Sequence, residues 1–524
     1  MKTLCDEAAI DSGYPAVPCT KAAEPWILAV AILGSSMAFI DSTVVNIALP
    51  ALQTSLGGTI IDMQWVVEGY GLLLGALILA GGSTGDLFGR RRMFLFGVTI
   101  FAIASAVCGL VPNIRQLVIA RAAQGFGAAF LVPGSLSIIS ASFGGKERGR
   151  AIGTWSGFTS ITTAMGPVLG GWLIEHASWR WVFFINVPIA AFVIVVSLWH
   201  VPESRFAARM SVDWLGALLA TVGLAGVTYG FIESTNLGWN RRSVWESLAA
   251  GCAFLAAFLY VEARAAFPMV PLELFRSPDF TGANLITVFL YAALGIFFFL
   301  FPLNLIQVQH YSSTATGAAV LPLIVLMFAL SRWSGGLVAR YGARRPLIIG
   351  PLIAAAGFVL FAVPSTGGAY WTTFFPAFVV LGIGLAVSVA PLTTVVMGAV
   401  DQSRAGTASG INNAVARVAG LLSIAVLGIV MISTFSHRLN GSLTDLAVPL
   451  DKMHELQSNK IKLAALDVPT GVDPSLAAAI RASIGRAFVF AFRLVMLICA
   501  VLSVISAAFA GWMIAVNAKP STPG

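Results

Sequence analysis

Apolar runs long enough to cross a bilayer recur along the whole chain, separated by shorter polar stretches. A hydrocarbon core of about 30 Å needs roughly 20 helical residues. Stretches of that kind lie near 26–50, 61–85, 93–112, 116–141, 150–174 and 181–201. Two more follow near 213–233 and 244–263, then six near 281–308, 315–338, 346–364, 371–396, 406–432 and 488–516. The pattern predicts an all-α integral membrane protein with 14 transmembrane helices in groups of six, two and six. The corresponding division is a tail over 1–25, a six-helix bundle over 26–205, a two-helix insertion over 206–275, a second six-helix bundle over 276–516 and a tail over 517–524. Before the last span lies a long segment, 433–487, expected to be an external loop in which Pro474–Arg486 suits a short helix. Residues 1–25 are polar and mixed in charge, with no apolar core, and are not expected to act as a cleavable signal peptide.

The chain repeats itself. Gly153-Thr154-Trp155-Ser156-Gly157 recurs as Gly406-Thr407-Ala408-Ser409-Gly410, an offset of 253 residues. Gly82, Gly89, Arg91 and Arg92 recur at the same offset as Gly335, Gly342, Arg344 and Arg345. Two related halves in a membrane protein point to transport, with a binding site between repeats that rock to expose it on alternate sides.

Composition agrees, since 58% of residues are hydrophobic and only 10% charged, and the mean hydropathy is +0.88. Lys and Arg crowd one set of loops, among them Arg90, Arg91, Arg92, Arg148, Arg150, Arg340, Arg344 and Arg345. The short loops of the other set hold only Arg115, Arg180, Arg241 and Arg242. Positively charged short loops stay cytoplasmic, so both termini are expected inside. The formal charge of +8 is then topogenic and lipid-facing, and nucleic-acid binding need not be invoked. Cys5, Cys19, Cys108, Cys252 and Cys499 are scattered, with no CxxC pair and no clustering with His, so neither a disulfide framework nor a metal is expected. No GxxxxGK[ST] loop is present, so no nucleotide cofactor is expected; the energy comes from a gradient unless a separate ATPase subunit assists.

Six charged residues fall inside the spans: Asp41, Glu68, Arg121, Arg332, Arg417 and Arg493. Each is costly there, roughly 2.5–3.5 kcal/mol for Arg or Asp at mid-membrane on insertion scales, and such residues usually face a bundle interior and pair. Helical rise puts Asp41, Glu68 and Arg121 roughly 14, 10 and 8 Å from the outer side. A nearby arginine favours an ionised carboxylate and burial favours a protonated one, so a carboxylate alternating between the two environments can carry a proton. The alternatives are snorkelling and a purely structural ion pair. Arg332, eight residues before Arg340, reads as a snorkelling side chain. Arg417 and Arg493 suit an anionic group on substrate or lipid, a pairing across the halves, or exposed carbonyls.

Gly153 with Gly157 and Gly166 with Gly170 have the four-residue spacing that lets helices approach closely, and Pro167 adds a kink. At the corresponding place in the second half stand Ala419 and Gly420, which confines the Gly-Pro pair to one half. Asp86, four residues before Arg90 in GDLFGRRR, suits a tight loop in which carboxylate and guanidinium clamp neighbouring helix ends; the alternative is that the arginines only fix topology.

Together these blocks resemble the major facilitator superfamily, and within it the fourteen-helix drug:proton antiporters. FIDSTVVNIALPAL (39–52) is similar to the helix 1 signature and GSTGDLFGRRR (82–92) to the loop motif between helices 2 and 3. RAAQGFGAAFLVPGS (121–135) resembles the helix 4 motif, GPVLGG (166–171) the antiporter motif of helix 5, and WRWVFFINVP (179–188) the start of helix 6. The resemblance implies a major facilitator fold, proton coupling through Asp41 influenced by Arg121, a cytoplasmic gating network of Asp86, Gly89 and Arg90, and a helix 5 hinge at Gly166, Pro167, Gly170 and Gly171. Leu87 replaces the usual basic residue of the loop motif, and Ala339 stands where a symmetrical gate needs Asp. Several cation exporters of this family carry acidic residues in the later helices, whereas helices 10 and 13 here offer Arg332, Arg417, Asn412 and Asn413.

The expected function is a secondary antiporter, not an enzyme, that exports hydrophobic or amphipathic drugs across the cytoplasmic membrane in exchange for protons by alternating access. Its expected partners are the organic substrate, protons and membrane lipids; the sequence leaves a periplasmic adaptor open. Rival readings are a dedicated exporter of an endogenous metabolite or lipid, and a non-transporting receptor.

Overall fold

The computed structural model describes residues 22–205, 212–400, 404–446 and 448–515. Most of the N-terminal tail with Cys5 and Cys19, the start of the insertion, the C-terminal tail and the Arg332 side chain lie outside the described residues.

The described chain is helical. In order the helices are α1 (Glu24–Leu56), α2 (Ile60–Phe88), α3 (Arg90–Leu110), α4 (Ile114–Ser142), α5 (Gly145–His176) and α6 (Trp181–His200). Next come α7 (Trp214–Leu237), α8 (Arg242–Glu262), α9 (Pro278–Leu303), α10 (Ser313–Ala319) and α11 (Leu321–Tyr341). The last are α12 (Arg344–Phe361), α13 (Tyr370–Gly398), α14 (Ala405–Asp445), α15 (Leu450–Ser458) and α16 (Pro474–Met513). Among the described residues 13 helical segments are long and apolar enough to span a membrane, and they match 13 of the expected spans. The remaining expected span, 150–174, is α5, whose Gly, Ser and Thr content lowers its hydropathy.

The segment 433–487 differs from the expected external loop. Helix α14 continues to Asp445 and α16 begins at Pro474, leaving 446–473, which itself contains α15. Phe435, Leu439 and Leu443 are buried at four-residue spacing, as are Ile480, Ile484 and Phe488. That stripe is the signature of an amphipathic helix. The polar residues between the apolar ones hide it from a search for continuous apolar runs, and Pro474–Arg486 is the first part of the last helix.

The chain forms two compact units. The first comprises Met1–Ala51, Trp65–Val227 and Ala249–Pro271; the second comprises Leu52–Gln64, Thr228–Leu248 and Leu272–Gly524. The insertion residues divide between them.

The repeat seen in the sequence is built into the packing inside each unit. A Cβ added at Gly97 of α3 would lie 2.7 Å from the Leu131 nitrogen of α4, and one at Gly350 of α12 would lie 3.0 Å from the Gly384 carbonyl of α13. Gly350 follows Gly97, and Gly384 follows Leu131, at the same offset of 253. Gly89 and Gly342 both end a helix with positive φ, 109° and 73°, and donate their N–H to the carbonyls of Gly85 and Val338. Positive φ is the conformation glycine adopts without steric cost. Arg91 Nη1 donates to the Val201 carbonyl just after α6 at 2.9 Å, and Arg344 Nη2 donates to the Gly511 carbonyl in the last turn of α16. A cation at a helix C-terminus satisfies orphan carbonyls and the helix dipole.

In the second unit a fully buried aromatic cluster joins α9, α12 and α13, with ring centroids 4.7 Å apart for Phe297 and Phe361 and 4.9 Å for Phe301 and Phe378. Edge-to-face pairs such as Phe301 with Phe378 contribute about 0.5–1.5 kcal/mol each beyond area burial. These rings form solid core.

Candidate functional site

Five elements of the first unit converge on one buried network. Asp41 of α1 has no exposed surface, and Arg121 of α4 is 1% exposed. Arg121 Nη1 donates to Asp41 Oδ2 at 2.5 Å and to Gln124 Oε1 at 2.7 Å, while Gln124 Nε2 donates to Asp41 Oδ1 at 2.8 Å. Arg121 and Gln124 are one helical turn apart, so both project from α4 toward the same point on α1. The guanidinium also donates through Nε to the Val66 carbonyl of α2 at 3.2 Å and lies 4.3 Å from the Tyr70 ring centroid. Gln124 Nε2 reaches Ser105 Oγ of α3 at 3.2 Å; Ser105 donates to the Phe183 carbonyl and accepts from Asn186 Nδ2 of α6. Cys108 Sγ sits 3.7 Å from Gln124 Oε1.

The charges in this cluster are compensated and hydrogen-bonded, the condition under which a membrane interior tolerates them. A buried pair adds little net stability, but removing one partner costs about 3–5 kcal/mol because the other is left uncompensated. The arrangement therefore holds an acidic group in a closed polar cage whose geometry depends on its charge.

Glu68 does not join the pair. Its carboxylate is completely buried, and neither oxygen has a hydrogen-bond partner among the described residues. Val66, which the guanidinium touches, and Glu68 are two residues apart on α2, and at about 100° per residue they face opposite sides of that helix.

The antiporter motif packs against the helix that carries Asp41. A Cβ on Gly166 of α5 would collide with Thr43 Oγ1, and one on Gly170 would lie 2.5 Å from Val44 Cγ1. Thr43 Oγ1 in turn donates to the carbonyls of Phe39 and Ile40, directly beside Asp41. Pro167 and Gly171 are buried in the same stretch. Nearer the other end of α5, Trp155 Nε1 donates to Ser35 Oγ at 3.1 Å, and Ser35 bonds Ser135 of α4.

At the opposite end of α2, Arg90 pairs with Asp86, Nη2 to Oδ1 at 2.8 Å, across the turn at Gly89. The sequence reading missed a third member. Glu203, just past α6, accepts from the Arg91 backbone N–H at 3.1 Å and lies against Gly89, where an added Cβ would be 2.7 Å from its Oε1. Arg92 Nε is 3.6 Å from the same carboxylate, and the Arg90 N–H donates to the Ser204 carbonyl. Glu203 thus caps the first turn of α3, where a carboxylate interacts favourably with the helix dipole.

In the second unit Asn412 of α14 donates to Asn284 Oδ1 and Thr287 Oγ1 of α9, at 3.2 and 2.7 Å. Asn413 is exposed and Arg417, one turn on, is half-buried. Arg493 of α16 serves carbonyls: Nη2 donates to Val363 and Pro364, and Nε to Pro364, at 2.8 to 3.2 Å. Exposed carbonyls were one of the alternatives open for Arg493, and its guanidinium contacts them.

Gln124, Ser105, Asn186 and Glu203 were not singled out from sequence. Polar residues in otherwise apolar helices at one-turn spacing from Arg121 were the available signal for Gln124, whereas Ser105 and Asn186 join it only through folding.

The fold and the motifs agree with what the chain is similar to. A family model described as Major Facilitator Superfamily matches residues 31–424. The "Multidrug resistance protein Stp" of Mycobacterium tuberculosis is 36% identical over 430 residues, covering 80% of this chain and 77% of that protein. The "Tetracenomycin C resistance and export protein" of Streptomyces glaucescens is 35% identical over 415 residues, covering 78% and 76%. Among solved structures, a bacterial homologue of the human lysosomal transporter Spinster, in an inward-facing unoccupied conformation, aligns with a TM-score of 0.63 at 18% identity, covering 94% of this chain and 99% of that one. With the repeat, the helix count and these matches in accord, the chain belongs to the Major Facilitator Superfamily.

Proposed function

We propose that the protein is a proton-coupled antiporter that exports hydrophobic or amphipathic drugs by alternating access. The supporting observation is the sealed Asp41–Arg121–Gln124 cage, with the antiporter-motif glycines packed on the residues that follow Asp41. A proton arriving at Asp41 cancels the carboxylate charge, weakens its hold on Arg121 and lets α1 shift against α5. Deprotonation restores the pair and the closed packing. The gradient supplies the energy, with no organic cofactor or metal, and Asp86, Arg90 and Glu203 act as the cytoplasmic latch. The protein sits in the cytoplasmic membrane with both termini inside.

The names of the relatives support drug export as the cargo class, since they include resistance proteins for lincomycin and puromycin from Streptomyces. Those names also favour a second reading, export of one particular metabolite, because each denotes a single compound.

The decisive experiment is dye and antibiotic efflux from cells and from proteoliposomes with an imposed pH gradient. Export that collapses with the gradient and is lost in Asp41→Asn at equal expression is the expected result. Undiminished export by that variant removes the coupling assignment, and a panel in which only one compound moves selects the second reading.

A further inference from the structure

An open apolar groove of about 440 Å³ runs along the seam of α3 and α4 in the first unit. Ile103, Val107, Ile119 and Ala123 form its walls, and it ends at Val111 and Gln116. Ile103 and Ile119 are 61% and 65% exposed, so the groove opens on the outer surface of the unit and not into its core. From Val111 down to Ile100, the deepest lining residue of α3, the helix descends roughly 16 Å. That is about half of a hydrocarbon core of about 30 Å, the depth of one leaflet.

The groove ends at a cation. Arg180, at the start of α6, donates through Nη2 to the Val111 carbonyl, a long bond of 3.4 Å, and lies over the Trp179 ring at 4.3 Å. No carboxylate pairs with Arg180 among the described residues, and none of its other guanidinium donors is hydrogen-bonded there. Arg493, which serves the equivalent carbonyls after α12, uses three hydrogen bonds to do so. Arg180 keeps most of its donors available, and with Arg115 it is one of few basic residues in the short loops of that side. A guanidinium with free donors, held over the buried Trp179 indole at the top of a leaflet-deep apolar channel, matches the headgroup and chain of a lipid.

We propose that this groove binds one phospholipid of the outer leaflet, with an acyl chain between α3 and α4 and its phosphate on Arg180. The walls at Ala104, Ala120 and Ala123 immediately adjoin Ser105, Arg121 and Gln124 of the buried network. A seated chain therefore backs the seam from which the network is built. The proposal rests on the orientation proposed above, which places Arg180 on the external side, and is independent of proton coupling.

The test uses the full-length protein reconstituted in phosphatidylethanolamine and phosphatidylglycerol vesicles containing a trace of phospholipid with a photoreactive group midway along one chain. After illumination and digestion, adducts are mapped by mass spectrometry. Expected are adducts concentrated on α3 and α4 near Ile103, Val107 and Ile119, lost in the groove-filling variant Ala123→Trp and displaced by unlabelled phospholipid. Arg180→Gln should reduce them about fivefold, the effect of about 1 kcal/mol per basic residue near a membrane surface. Ile119→Trp serves if Ala123→Trp fails to fold as judged by gel filtration. Labelling spread evenly over all lipid-facing helices and unchanged in these variants overturns the site. Displacement by a transported dye but not by phospholipid gives the groove to substrate and also overturns it.

Discussion

Gln124 holds Asp41 from the side opposite its ion pair: the amide donates to Oδ1 at 2.8 Å while Arg121 donates to Oδ2 at 2.5 Å. The same amide accepts from Arg121 through Oε1, so one neutral side chain fixes the separation of two opposite charges. Replacing it with leucine leaves buried donors and acceptors unmet, at about 1–3 kcal/mol. Gln124→Leu is expected to lower thermal stability in detergent and to displace the pH profile of export, with Gln124→Asn intermediate. Unchanged melting and an unchanged profile would show that the amide positions nothing.

Arg121→Ala strands the Asp41 carboxylate and should cost about 3–5 kcal/mol of stability. Adding Asp41→Asn in the same protein should recover most of that loss without recovering transport. A thermal-shift series on the two single variants and the double variant checks the coupling, and additive effects would count against it.

Gly166→Ala brings a methyl group onto Thr43 Oγ1. Export should slow at least several-fold while expression persists, because overpacking a tight seam costs about 1–3 kcal/mol. Thr43→Ala removes the obstructing hydroxyl, so the double variant Thr43→Ala/Gly166→Ala should export faster than Gly166→Ala alone. Failure of that rescue in a transport assay would place the effect elsewhere.

Glu203→Gln keeps the shape of the carboxylate but removes its charge beside Arg91, Arg92 and the first turn of α3. The loss of one exposed-end dipole contact is about 0.3–1 kcal/mol, small for stability. The proposed latch role predicts a larger effect on accessibility. Cysteines placed near the ends of α2 and α6 that meet at Glu203 should react faster with a membrane-impermeant thiol reagent in Glu203→Gln, with Asp86→Asn behaving alike. Equal reaction rates in all three proteins would sink the latch.

Asn412→Leu leaves Asn284 and Thr287 of α9 without their partner. Because it alters a polar contact and not the Asp41 network, the variant should change the relative export of different compounds while each retains its dependence on the pH gradient. A uniform loss across the panel in an efflux assay would mean that the asparagine only holds α14 to α9.

The spans were legible because about 20 consecutive apolar residues have few other uses. Helix α5 was read as the span 150–174 although its Gly, Ser and Thr content makes its hydropathy weaker than that of its neighbours. The helical end 433–445 was hidden, and Pro474–Arg486 was read as a separate short helix, because the apolar residues of both are spaced to bury one face beyond the continuous apolar runs. Asp41 and Arg121 stood out because charge inside a span is costly and rare. Glu68 stood out by the same argument and joins neither of them, because depth along a helix says nothing about which way the helix is turned.

The sequence by itself determined that this is a membrane protein of two related halves, and it marked the residues whose burial demands a reason. It could do so because hydropathy, charge placement and repeats are properties of the order of residues alone. Only the tertiary structure decided which of those residues meet. Asp41 and Gln124 are 83 residues apart in the chain and share a hydrogen bond, and Glu203 reaches Arg91 across 112. Such contacts depend on the rotation and crossing of packed helices, which are set by side chains on several elements at once and leave no local trace in any one of them.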